Sequence, residues 1–449
     1  MNKSSISTVN TVTWRTLHPV GKFFIAVFLV VVFEGAVRKW VWGSATLPLL
    51  GLRDLIIVFA ILWGGVHRYF NVRGIGEAIL IFWTMLVLTW TTIQVFSSLQ
   101  PPAVGIIGFR FWVLYLWFAL LCAKALKWQD IEYLFKLCAF SLLFMVPLAL
   151  LQFMSPPTAF INKQAGGEEQ FIFVVVKDIV RTTGTFSFTA GYTTYMAFVT
   201  PVVLWLMSGG LKGSLNSLLR LLIIALFFTG VLVSGSRGAI MTTLFFVGAW
   251  FLALLLANKI PRLSASKVLI GLAGVGVLLF LLFPILERSY EANTQRFESA
   301  GASEDVGARI VGMYMGADET WEHFNLLGYG IGAGANASRS FMPETENGFL
   351  LGENEIDRTL NEGGLVGLLL ALLKWLLIVV GLLSAWNIFK KNNEFLPLSV
   401  WLVIAIQLPT GSVIGQLSIH AFVVLLLGLG FASLSCWQSE KMRRQGLIK

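Results

Sequence analysis

Charged side chains are scarce in this sequence. Asp, Glu, Lys and Arg make up 13% of the residues, whereas about 25% is usual in soluble proteins. Hydrophobic residues reach 56%, and they come in runs of about 17–22, each long enough to cross a bilayer as a helix. The composition excludes an ordinary soluble protein and predicts one all-α, polytopic membrane domain covering residues 1–449.

Residues of metal and redox chemistry are also few. The three cysteines lie in or beside apolar runs, which is typical of buried thiols and not of a disulfide framework. The four histidines are scattered and no His-Glu-x-x-His motif occurs, so a zinc protease is not expected. The sequence also has no Gly-x-x-x-x-Gly-Lys and no Gly-x-Ser-x-Gly, which argues against ATP hydrolysis and a serine-hydrolase elbow. We expect no cofactor and no metal.

Hydropathy predicts about twelve transmembrane helices. They cover Val20–Val37, Leu52–Val66, Glu77–Ser97, Gly105–Ala123, Ile131–Phe153, Ala190–Met207, Leu218–Val233, Ala239–Ala257, Val268–Leu286, Gly363–Trp386, Glu394–Pro409 and Leu417–Cys436. Short loops on one side carry most of the lysines and arginines, and this side also holds both termini. We therefore predict that both termini are cytoplasmic. The net charge of +9 belongs to these loops and not to a basic stripe, so nucleic acid is not an expected partner.

The segment Glu287–Glu362, between spans nine and ten, is the longest interruption of the apolar runs. It spans about 75 residues, carries many carboxylates and several arginines, and contains the glycine run Gly328–Gly334. Loops of this length inside a compact domain are usually functional. We expect the segment to be extracytoplasmic, neither disordered nor helical, and to form one wall of an active site.

Ionisable residues that break the positive-inside pattern gather at the predicted outer interface. They are Glu34, Arg38, Lys39, Arg53, Asp54, Arg110, Arg181 and Arg237. Charges at membrane depth cost about 2.5–3.5 kcal/mol each, so they need a partner or a function. A single arginine there is explained by snorkelling, whereas several on one face favour an anion site, because the guanidinium group binds phosphate oxygens in pairs.

Four short motifs resemble the bacterial O-antigen ligase and polymerase superfamily. Val233–Ile240 contains that family's Ser-Arg-Gly signature, and Arg181–Ser187 is similar to its Arg-x-x-Gly-Thr-Phe segment. Arg309 with Trp321 and the following glycine run resembles its large outer loop. Leu360–Gly367 is similar to the Leu-x-Glu-x-Gly-Leu-x-Gly sequence that leads into the next helix.

The resemblance implies a GT-C-like glycosyltransferase that is inverting, metal-independent and acts on undecaprenyl-diphosphate-linked glycans. It implies diphosphate contacts from Arg181, Arg237 and Arg309, to which we add Arg358. We assign substrate binding to Ser236, Trp321, Asn354 and Glu362. A flippase and a chain-length regulator are the partners of such an assembly system.

The chain departs from the ligases of the superfamily at one position. They usually carry His-Asn about nine residues before the motif glutamate, and this chain has Glu353-Asn354. A carboxylate can replace the imidazole as a base if neighbours tune its pKa. Glu353 is therefore the first candidate base and Glu355 the second, and the departure favours a polymerase over a ligase.

The same residues also have structural interpretations. Glu355, Arg358 and Glu362 are three and four residues apart, as in ion pairs along a helix. The glycine run is either a flexible turn or a backbone approach to phosphate. Trp321 suits interfacial anchoring or sugar stacking, and Glu353-x-Glu355-x-Asp357 suits either a solvated acidic loop or a hard-cation site.

We predict a polymerase that joins lipid-linked repeat units into a surface polysaccharide. A ligase that transfers finished glycan to a lipid or protein acceptor is the alternative of the same class. A transporter or flippase of lipid-linked sugars is the alternative of another class, and a non-catalytic scaffold stays open. Transporters usually place charges near the midplane and show repeated halves, and neither feature is evident here.

Overall fold

The computed structural model describes residues 13–44, 46–71, 74–164, 174–176, 179–210, 216–257, 287, 306–342, 352, 354–392 and 394–444. The helices of the first half are α1 (Pro19–Ala36), α2 (Thr46–Val66), α3 (Ile75–Phe96), α4 (Pro102–Phe109), α5 (Tyr115–Ala125), α6 (Trp128–Met154) and α7 (Thr189–Met207). Those of the second half are α8 (Ser217–Leu232), α9 (Arg237–Leu256), α10 (Val306–Met315), α11 (Asp318–Glu322), α12 (Glu355–Gly363), α13 (Leu365–Asn392), α14 (Leu396–Thr410) and α15 (Leu417–Arg444).

The described residues confirm an integral membrane protein built of helices. Eight helical segments are long and apolar enough to cross a bilayer: Pro19–Val41, Ile75–Phe96, Pro102–Ala125, Trp128–Met154, Thr189–Met207, Arg237–Leu256, Leu365–Asn392 and Leu417–Trp437. Two shorter apolar helices, α8 and α14, coincide with further predicted spans. The predicted ninth span, Val268–Leu286, lies outside the described residues, so the number twelve stays a prediction.

Three features depart from a simple row of spans. The helical path of α1 continues through a π turn at Val37–Val41, and a second π turn, Arg110–Leu114, joins α4 to α5. A two-stranded antiparallel ribbon, β1 (Val174–Val176) and β2 (Ile179–Val180), precedes α7. The expectation that Glu287–Glu362 is not helical is wrong for its described part, because α10, α11 and α12 lie within it.

Burial separates central from peripheral helices. In the most apolar 18-residue stretch of α7, 83% of the residues are buried, and in that of α15, 78% are. In the corresponding stretch of α3, only 17% are buried. A span buried on all sides packs against other helices, and one buried on a narrow stripe faces lipid. Helices α7 and α15 therefore form the centre of the bundle, and α3 lies at its edge.

Several distant segments meet at one end of the bundle. The hydroxyl of Thr185 donates to the carbonyl of Val32 near the end of α1 (2.5 Å). Ser418, at the start of α15, donates to Glu34 on α1 (3.1 Å), and Arg53 on α2 donates to the carbonyl of Leu417 (3.3 Å). This end of the bundle, which we call the polar end, carries the residues described next.

Candidate functional site

The segment that begins with Arg181 is fixed in place by two buried side chains. Lys39 donates from Nζ to the hydroxyl of Thr183 (2.7 Å) and to the carbonyls of Gly184 (2.9 Å) and Phe186 (3.2 Å). Gln152 accepts at Oε1 from the backbone N–H groups of Thr183 (3.1 Å) and Gly184 (2.7 Å). Lys39 is 2% exposed, so this cation of the predicted outer cluster holds the segment and does not face solvent.

The Ser-Gly-Ser-Arg sequence forms the turn that starts α9. Gly235 has a φ of +62°, which favours glycine, and the fully buried Ser234 accepts at Oγ from the N–H of Ser236 (3.2 Å). Ser236 in turn caps the helix, because its Oγ accepts from the N–H of Ala239 (3.3 Å). Arg237 is the first helical residue, at the helix end whose free N–H groups favour anions.

These two segments are neighbours. The hydroxyl of Thr182 donates to the carbonyl of Val233 (3.3 Å), which joins positions 51 residues apart in the sequence. Both residues are buried, whereas Arg181 and Arg237 are half-buried. The structure therefore brings together the two segments that carry the first two predicted diphosphate ligands.

Glu355, the second candidate base, is buried and its carboxylate is occupied. It is 1% exposed, and its Oε1 forms an ion pair with Nζ of Lys374 on α13 (2.6 Å). Its Oε2 accepts from the backbone N–H of Ile414 (3.0 Å). Asp357, next but one on the same helix, accepts from the N–H of Ala317 (2.8 Å), so the two described carboxylates of the acidic motif face different partners.

Glu362 lies at the opposite end of α12 and is fully buried. Its Oε2 accepts from the N–H of Gly332 (2.9 Å) and from the indole Nε1 of Trp112 (2.8 Å). Its Oε1 accepts from the N–H of Gly334 (2.7 Å). Burial raises the pKa of this carboxyl to about 7, although the three donors favour the ionised form. Glu362, predicted to bind substrate, is thus surrounded by the protein itself.

The glycine-rich loop, Gly328–Gly334, is shaped by buried polar partners. Gly328, Gly330 and Gly332 all have positive φ values, a conformation that side chains rarely adopt. Gln94 on α3 accepts at Oε1 from the N–H of Ile331 (2.9 Å) and donates from Nε2 to the backbone carbonyl of Glu362 (2.9 Å). The loop is therefore a fixed element, and two of its N–H groups are used by the Glu362 carboxylate.

Sequence reasoning missed Gln94. It is fully buried on a span whose other residues are mostly exposed or half-buried. A lone amide in an apolar run near a helix end was the available signal, since polar groups at membrane depth need partners.

The remaining predicted residues lie around the start of α12. Arg358 donates from Nε to the carbonyl of Gly352 (3.0 Å), and Asn354 donates to Oδ2 of Asp357 (2.9 Å). Trp321 is 46% exposed and donates from Nε1 to the carbonyl of Met315 (2.8 Å). Glu353 and the side chain of Arg309 lie outside the described residues, although the backbone of Arg309 belongs to α10.

Other charges of the predicted outer cluster pair with one another. Arg110 forms an ion pair with Asp54 (2.6 Å), and the phenol of Tyr115 donates to the same carboxylate (2.8 Å). Arg53, which is fully buried, lies 3.5 Å from Glu34. These contacts tie α1, α2 and the α4–α5 unit together at the polar end.

The geometry defines a helical membrane protein with a buried polar network at one end of its bundle. Residues 222–372 match the family model described as O-antigen ligase. The match covers the Ser-Gly-Ser-Arg turn, the glycine-rich loop and α12, and it confirms the resemblance to the O-antigen ligase and polymerase superfamily. No curated protein and no solved structure matches the chain.

Proposed function

We propose that the protein is a membrane glycosyltransferase that polymerises undecaprenyl-diphosphate-linked repeat units into a cell-surface polysaccharide. The observation that carries this proposal is the contact between Thr182 and Val233, which makes the Arg181 segment and the Arg237 turn neighbours. Two guanidinium groups supplied from one junction suit a diphosphate, whose oxygens they bind bidentately.

In the proposed reaction, a sugar hydroxyl of one lipid-linked unit attacks the anomeric carbon of another. The bond from that carbon to the diphosphate oxygen breaks, and the glycosidic bond forms with inversion. Arg181, Arg237 and Arg309 neutralise the charge that develops on the departing diphosphate. Because this charge is offset by the protein, we propose no metal.

Among the three glutamates of the motif region, we assign the general base to Glu353. Glu355 forms a buried ion pair with Lys374, and Glu362 accepts three hydrogen bonds from the protein. A general base must be within reach of the hydroxyl proton that it accepts, and these two carboxylates are enclosed. This leaves Glu353 as the remaining candidate.

The test is transfer of labelled, lipid-linked repeat units by the purified protein. We expect Arg181→Ala and Arg237→Ala each to lower the rate by about 100-fold, the typical loss when one donor to a developing oxyanion is removed. Arg220→Ala is the control, because Arg220 donates to the carbonyl of Leu206 away from this junction. Full polymer formation with both arginines replaced would refute the proposal.

A ligase is the second candidate, and the match to the O-antigen ligase family favours it. The two activities predict different products in cells that lack the protein. Loss of a polymerase leaves single repeat units on the acceptor, whereas loss of a ligase leaves long chains on the carrier lipid. Analysis of the accumulated glycans therefore separates the two.

We further propose that the polar end faces outward from the bacterial inner membrane and that both termini are cytoplasmic. The charge distribution of the short loops supports this orientation. A flippase and a chain-length regulator are the proposed partners. Labelling of a cysteine introduced at Trp321 by a membrane-impermeant reagent in intact spheroplasts tests the orientation, and its protection there would contradict it.

A further inference from the structure

Arg358 lies against the turn that connects α14 to α15. A methyl group built on Gly415 in this turn would overlap Nη1 of Arg358, so the guanidinium group and the turn are in direct contact. Among the described residues, Nη1 is buried and has no hydrogen-bond partner, while Nε donates to Gly352. The position of the guanidinium group therefore depends on the position of the turn.

The turn is held from two directions. On one side, the N–H of Ile414 donates to Oε2 of Glu355 at the start of α12 (3.0 Å). On the other side, the carbonyl of Gly415 accepts from the N–H of Asn336 (3.0 Å), which lies two residues after the glycine-rich loop. Both contacts are made by backbone atoms of the turn, so they fix its path and not merely one side chain.

Glu362 holds the segment that provides the second contact, the one from Asn336 to Gly415. Its carboxylate accepts from the N–H groups of Gly332 and Gly334, four and two residues before Asn336. The chain between them folds back on itself, because the N–H of Ala335 donates to the carbonyl of Gly332 (3.2 Å). The two carboxylates at the ends of α12 thus support one turn, and Arg358 lies between them on the same helix.

We propose that Glu355 and Glu362 are positioning residues that orient the Arg358 guanidinium toward the substrate diphosphate. They act through the glycine-rich loop and the Gly415 turn and do not touch substrate themselves. This inference rests on the proposed function, because it assigns Arg358 to the same diphosphate. If the carboxylates only stabilised the fold, their effect on the reaction would be the same with and without Arg358. As positioning residues, they affect the reaction only when Arg358 is present.

A double-mutant cycle in the transfer assay tests this dependence. We expect Arg358→Ala to lower kcat by about 100-fold, and Glu362→Gln by about tenfold, as is typical of residues that support a catalytic group. If Glu362 acts through Arg358, the double variant is no slower than Arg358→Ala alone. If the double variant instead loses kcat by the product of the two single losses, the inference is overturned. Glu132→Gln, which removes a carboxylate paired with Lys136, is the control.

Gly415→Ala provides a second cycle that leaves both carboxylates intact. In the otherwise wild-type protein, the added methyl group displaces the Arg358 guanidinium, so we expect a lower kcat. In the Arg358→Ala background the overlap is gone, so we expect Gly415→Ala to leave the melting temperature unchanged. In that background Gly415→Ala should have no further effect on kcat. An equal loss with and without Arg358 would contradict the inference. Full activity of Arg358→Ala would also end it, whereas the proposed function depends on Arg181 and Arg237.

Discussion

Glu362 should make the stability of the protein depend on pH in a predictable direction. Burial raises the pKa of its carboxyl from 4.5 to about 7. The folded protein therefore holds this proton more tightly than the unfolded chain does. Its contribution to the free energy of unfolding is fully present below about pH 4.5 and is lost as the pH rises through about 7.

The size of the effect follows from the same values. The interval from 4.5 to about 7, at about 1.4 kcal/mol for each pH unit, corresponds to roughly 3 kcal/mol. Glutamine at this position is neutral at every pH and removes the dependence. The NH2 group of the glutamine also faces one of the three N–H donors and cannot accept from it. This lowers the stability by the same amount at every pH, so the slope of stability against pH is unaffected.

The assay is thermal unfolding of the detergent-purified protein at several pH values between 4.5 and 8. We expect the melting temperature of the wild type to fall more steeply with rising pH than that of Glu362→Gln. The difference between the two curves isolates Glu362, because every other titrating group is shared. Parallel curves would refute the argument that burial outweighs the three donors at this carboxylate.

Three further changes test other parts of the structure. Gly332→Ala should destabilise the protein by about 1–3 kcal/mol, because φ is +100° there and the methyl group meets Gly108, whereas Gly248→Ala, in open space, should be neutral in the same melt. Lys374→Met should cost about 3–5 kcal/mol in a denaturation assay by leaving Glu355 buried without its cation, and adding Glu355→Gln should restore part of it. Lys39→Met should slow transfer by releasing the Arg181 segment, and an unchanged rate would contradict the role of its three hydrogen bonds.

Hydropathy predicted the described spans well, because a membrane requires long apolar helices whatever their neighbours are. The sixth predicted span, Ala190–Met207, is the helix Thr189–Met207, and the eighth, Ala239–Ala257, is Arg237–Leu256. One helix boundary was less accurate, where proline and glycine interrupt the apolar run. The second, predicted from Leu52, begins at Thr46, because a helix tolerates a proline in its first turn, where Pro48 lies.

The partners of the buried carboxylates were not predictable from local spacing. The interval between Glu355 and Glu362 correctly indicated a helix, and α12 is that helix. Ion pairs with Arg358 along this helix were one interpretation of the spacing, and the described carboxylates have other partners. Glu355 pairs with Lys374 on the next helix, and Glu362 accepts from a loop about thirty residues earlier. Such contacts depend on how distant segments pack, which the helical period does not encode.

The central claim is that Arg181 and Arg237 hold one diphosphate at the polar end of the bundle. The most direct measurement is an experimental structure of the protein with an undecaprenyl-diphosphate-linked repeat unit bound. We predict that the diphosphate lies at the junction of Thr182 and Val233, within hydrogen-bond distance of both guanidinium groups. A diphosphate bound elsewhere, with neither arginine in contact, would contradict the account.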